Sequence, residues 1–88
     1  MTTRTLDFMG HGRNSKKVAF PPGIVNRHSR VLASITELKS QDKDTPHPGG
    51  AFMTVHNIVP QDDNTVIVYY DIEWDNDLLT RLTVVVLD

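Results

Sequence analysis

The sequence predicts an all-β fold, an antiparallel β-sandwich, on three observations. Apolar and polar residues alternate with a period of two over residues 65–74. Clusters of proline, glycine, asparagine and aspartate separate the apolar segments. Residues 84–87 are apolar on both sides, which calls for covering both faces of that strand.

Residues 1–17 carry four basic residues (Arg4, Arg13, Lys16, Lys17) against Asp7, a net charge of +3, and lack hydrophobic periodicity. They are expected to form a basic, flexible arm, anchored at most by Phe8 and Met9, outside a domain of residues 18–88. The remaining chain has five basic and ten acidic residues, giving −5 and the overall −2. Four dispersed basic residues make a weak patch, so nucleic acid is not an expected partner. Val18, Ala19 and Phe20 begin the domain and are stopped by Pro21, Pro22 and Gly23. Residues 31–38 form the next strand, with Val31, Ala33 and Ile35 on one face and Leu32, Ser34, Thr36 and Leu38 on the other. Residues 39–50 read as a long polar loop. Residues 51–59 return as a strand, with Phe52, Thr54, His56 and Ile58 on one face.

Residues 60–64 have turn composition. In 65–74, Val66, Val68, Tyr70, Ile72 and Trp74 point one way, and Ile67, Tyr69, Asp71 and Glu73 the other. Asp75, Asn76 and Asp77 make a tight turn, after which 78–87 is expected to run back beside 65–74, with Arg81 facing the acidic row. Thr83, Val85 and Leu87 share the second face of this last strand. Burying Val85 and Leu87 against another copy of the chain would give about 3–5 kcal/mol per protomer, at ~25 cal/mol per Å² of apolar area. These three residues are therefore the candidate oligomer interface.

The chain has 88 residues and no cysteine, so disulfides, thiolate metal sites and a thiol nucleophile are excluded. No nucleophile elbow, phosphate-binding loop or dinucleotide fingerprint occurs, and no catalytic activity is expected. No secretory signal is evident near residue 1, and the longest apolar run is too short to span a bilayer, so a membrane partner is not expected. Asp71, Glu73, Asp75 and Asp77 alternate and would suit a hard cation such as Ca²⁺ if the strand ran straight, although they do not match an EF-hand loop. The more ordinary reading is a solvated rim, with no cofactor. His11, His28, His47 and His56 have no zinc-ligand spacing; His56 is the best placed to meet its own copies on a symmetry axis. Trp74, Tyr69 and Tyr70 are able to stack on a sugar face.

The strands resemble, in order and content, the H-type lectin domain of snail agglutinins and the discoidin C-terminal domain. The likeness covers residues 16–87. It rests on Val18-Ala19-Phe20, on Val31-Leu32-Ala33-Ser34-Ile35-Thr36-Glu37-Leu38, on Met53-Thr54-Val55-His56-Asn57-Ile58, on the strand ending in Trp74 before Asp75-Asn76, and on the closing strand 82–87. The resemblance implies a six-stranded antiparallel sandwich and a homotrimer packed around a three-fold axis. It implies a galactose-type glycan held between protomers, by Trp74, Asp75 and Asn76 of one and Gly10 and His11 of the next. Asp75 stands where the family has histidine, and residues 49–51 lack its arginine. Similar domains on phage tails imply a virion or extracellular location, as a receptor-binding part. The alternative is a purely structural virion subunit, at a tail tip or as capsid decoration, contacting other virion proteins.

Overall fold

The structure, a computed structural model, describes residues 1–40 and 42–87. Among these there are seven strands: β1 (Thr2–Gly10), β2 (Gly12–Ala19), β3 (Val31–Lys39), β4 (Asp42–Pro46), β5 (Phe52–Pro60), β6 (Thr65–Glu73) and β7 (Leu78–Val86). They form two antiparallel sheets, β1-β7-β3-β4 and β2-β6-β5, compatible with a β-sandwich and with seven strands where six were expected. Among the described residues no helix is long and apolar enough to cross a membrane.

One long ribbon organises both sheets. β1 pairs with β7 from Thr2 opposite Val86 to Gly10 opposite Leu78, and β2 pairs with β6 from Gly12 opposite Ile72 to Ala19 opposite Thr65. The ribbon folds over at a corner where Gly10-His11-Gly12 lies on one strand run and residues 74–77 on the other. Gly12 takes φ of 74°, a left-handed conformation that a side chain disfavours. β3 and β4 then extend one half, and β5 extends the other.

Alternation decides what lies between the layers. Val66, Val68, Tyr70 and Ile72 of β6 face Leu82, Val84 and Val86 of β7, all buried, with Val18, Phe20 and Val25 completing the core. Leu6 and Phe8 of β1, and Val31, Ala33 and Ile35 of β3, pack around this cluster. The Phe8 and Tyr70 rings lie 5.4 Å apart in a tilted contact, and burial raises the Tyr70 hydroxyl above its ordinary pKa.

Several expectations are corrected by this arrangement. Residues 1–17 are not an arm beside the domain but β1 and most of β2, because Leu6 and Phe8 alternate with polar residues and enter the core. The loop 39–50 contains β4, a polar strand tied by its own short contacts, including Asp44 N–H to Asp42 Oδ1 at 3.2 Å. A β-bulge at His56 shifts the register of β5. Met53 and Val55 before it, and Ile58 after it, therefore take the core-facing register, while Phe52 is 72% exposed. β6 and β7 are not hairpin partners; they lie in different sheets. Arg81 therefore meets Asp7 on β1 in a forked pair (2.9 and 3.0 Å) rather than the acidic row of β6.

The two-sided apolar run of β7 follows from its place between β1 and β3. Val85 lies between Thr3 and Leu32, and Thr83 between Thr5 and Ser34, with Thr5 and Thr83 hydroxyls 3.3 Å apart. Leu87 donates its N–H to Arg30 O (2.9 Å). Thr83, Val85 and Leu87 are thus half-buried by their own chain.

Exposed carboxylates tie the loops to this frame. The Arg81 hydrogen bond holds Asp7 below the ordinary carboxylate range. The Thr45 hydroxyl and Asp44 N–H lower Asp42. The Arg27 backbone and side chain lower Asp62, and the Thr65 hydroxyl followed by Lys17 lowers Asp63. All four are ionised more readily folded than unfolded, so their stabilisation is present above the unfolded value of ~3.9 and is lost as pH falls through the folded values. Thermal melts from neutral pH downward should show Tm dropping mainly below about pH 4. Asp62→Asn should flatten that drop, and an acid limb unchanged in the variant would refute the assignment.

Candidate functional site

The residues predicted for ligand contact gather at the ribbon corner. Trp74 N–H donates to Ile72 O (2.9 Å), which ends β6 at Glu73 and turns the chain. Trp74 is therefore 46% exposed rather than a continuation of the core face. With Glu73, Asp75 and Asn76 it lines a shallow depression of about 340 Å³. Gly10 lies opposite Leu78, and His11 Nδ1 is 2.6 Å from Asp77 Oδ1. His11 thus reaches the 74–77 turn within one chain, through Asp77 rather than Asp75, while Gly10 pairs just beyond it with the start of β7.

The acidic row does not stay together. Asp71 and Glu73 lie on the outer side of β6, Asp75 is in the turn, and Asp77 bonds His11. Among the described residues no group of three or more histidine, aspartate or glutamate side chains is placed to hold a metal.

A larger depression, about 700 Å³, opens on the outer face of β2-β6-β5. The register builds it. Tyr69 of β6 has Ser15 of β2 on one side and Asn57 of β5 on the other, and the next row holds Arg13, Asp71 and Thr54. The ring of Tyr69 is 44% exposed at the centre. The bulge brings His56 to the same rim, with Nε2 4.0 Å from Asp71 Oδ2, and Arg13 Nε is 3.8 Å from that same oxygen. The Asp71 side chain is only 15% exposed between these two bases, whereas Arg13 is 82% exposed. Asn57 uses its side-chain oxygen locally, accepting from Ile58 N–H (2.9 Å); Asn14, opposite Tyr70 on the inner side of β2, does the same with Ser15 N–H (2.8 Å).

Further along this outer face, Phe52 stands opposite Glu73. Trp74 follows at the corner, where a Cβ on Gly50 would lie 3.9 Å from its ring. The face therefore runs from Tyr69 through polar residues to Phe52, with Trp74 beyond. The other layer has a cleft of about 670 Å³ beneath the β3–β4 hairpin, with Met9, Leu38 and Leu79 as its aliphatic floor and His47 at its wall, but no phenylalanine, tyrosine or tryptophan among the described residues that line it.

The outward aim of Tyr69 follows from simple alternation. Arg13, Ser15 and Asn57 as its neighbours do not, since strand order and the bulge decide who flanks it. Compared with family models, curated proteins and solved structures, the chain has no match, so the groove is read from its own chemistry.

Proposed function

We propose that this chain is a non-catalytic carbohydrate-binding module whose ligand lies along the outer face of β2-β6-β5, from Tyr69 toward Trp74. One observation carries the reading. Phe52, Tyr69 and Trp74 are all exposed along one layer and its corner, interleaved with hydrogen-bonding side chains rather than buried. Sugars have an apolar ring face and a polar rim, and exposed aromatic rings among amide, hydroxyl and charged groups match both. The resemblance to H-type lectins, including a sandwich of that kind, supports the same class. Self-association through Thr83, Val85 and Leu87 belongs to this proposal, as does a role in attaching a particle to a cell surface.

A glycan array tests it. The wild-type chain is expected to retain a defined set of oligosaccharides. Tyr69→Ala should weaken that binding at least about tenfold, a loss of ~1.4 kcal/mol. The circular dichroism spectrum should be unchanged. No retained glycan with the folded wild type would overturn the reading.

A second reading, a structural subunit of a larger particle, is favoured by β1. It is a nine-residue edge strand with no proline and no bulge; of the other edges, β5 has both, β4 has only five residues and β2 carries Lys16 and Lys17. Such an edge is suited to pairing with another chain. Concentration-dependent association without any glycan binding would select this reading.

A further inference from the structure

Resting on the carbohydrate reading, we propose that the groove over Tyr69 selects a saccharide bearing an anionic substituent, recognised by Arg13 and the amide group of Asn57. The argument is a balance of donors and acceptors. Asn57, beside Tyr69, has its side-chain oxygen turned to the backbone N–H of Ile58. That contact fixes the amide and leaves its NH₂ as the group to offer a ligand. Arg13 is mostly exposed, and its 3.8 Å approach to Asp71 is too long for a hydrogen bond, so its N–H donors are free for a ligand.

Asp71 is the carboxylate nearest the groove centre, but it is recessed between Arg13 and His56. Glu73 lies one row nearer the corner, opposite Phe52, and Lys17 is drawn away to Asp63 (3.3 Å). The accessible groups are therefore dominated by donors, joined by the hydroxyls of Ser15 and Tyr69, which take either role. A neutral sugar presents hydroxyls that need acceptors as well as donors. A carboxylate or sulfate accepts only, and a guanidinium matches it in a charge-assisted pair.

The test uses the full chain and an array of matched oligosaccharides in neutral, uronate-containing and sulfated forms. Acidic members are expected to bind at least about tenfold more tightly than their neutral counterparts, a difference of ~1.4 kcal/mol. The uronate and sulfate arms identify which anion is preferred. Arg13→Gln should remove most of that preference, weakening acidic members far more than their neutral counterparts. Arg4→Gln removes the same charge on β1, outside the groove, and should leave the preference intact. Equal binding of neutral and acidic members would overturn this inference while leaving the carbohydrate reading standing, as would an equal loss in Arg4→Gln. Retention of no oligosaccharide would remove both.

Discussion

Leu82→Ala is expected to lower the stability of the fold by about 3–4 kcal/mol, within the range for leucine truncation in a packed core. Leu82 is fully buried at the middle of β7. Its row contains Leu6 of β1 and Ile35 of β3, and the core above it includes Val66 and Val68. Neighbours held in two sheets have little freedom to close the gap, so a cavity term adds to the lost transfer energy. A domain of this size has roughly 5–10 kcal/mol in total, and Tm should fall by about 15 °C or more. Leu79→Ala on the outer side of the same strand should cost about 1 kcal/mol, as expected for a half-buried side chain. Urea denaturation of the two variants checks the assignment of faces. Equal losses would mean that β7 does not present Leu82 to the core.

The second large effect is expected at Asn64, in the β5–β6 turn. Its side-chain oxygen accepts from Ile24 N–H (3.1 Å) and Val25 N–H (2.8 Å), and its amide donates to the carbonyls of Phe20 and Pro21. The backbone carbonyl of Asn64 also takes the N–H of Phe20 (3.2 Å). One residue thus holds the loop after β2 so that Phe20 and Val25 enter the core. Asn64 also has φ of 67°, a region asparagine tolerates better than alanine. Asn64→Ala leaves part-buried backbone groups without partners and adds strain, for a cost of about 3 kcal/mol. Asn64→Gly removes the strain but not the lost bonds, and should recover about 1 kcal/mol of it. Asn64→Asp keeps the acceptor and loses the donors, and should fall between wild type and alanine. Thermal or urea melts order the three variants. Asn64→Ala within about 0.5 kcal/mol of wild type would remove the clasp from the account.

How much was legible depended on which residues bore the information. β6 was readable because Val66, Val68, Tyr70 and Ile72 alternate without interruption. β3 was readable from its β-branched positions, and the turn 60–64 from its residue types. β1 was hidden because Thr3, Thr5 and Asp7 dilute Leu6 and Phe8, so local hydrophobicity resembled that of a polar terminus. β4 has no apolar residue besides the proline at its end, and its identity depends on pairing with β3. The inserted residue at His56 has no distinctive local composition, yet it reversed the faces of the second half of β5. Proximity in sequence also misled: a short turn joins β6 to β7, but the chain crosses to the other sheet there. For the same reason Ser15, read as part of a tail, turns out to flank Tyr69, with Arg13 in the next row of the same face.

The order in which the strands meet has a consequence for synthesis in the cell. β7 lies between β1 and β3, and it is the last of the seven to leave the ribosome. Until it emerges, β1 and β3 have no shared partner, and the nascent chain holds adhesive edges with nothing to zip them together. Closure of the outermost pairing, Thr2 with Val86, spans nearly the whole length and makes for slow maturation. Unpaired strands held open through translation are the condition under which aggregation competes with folding.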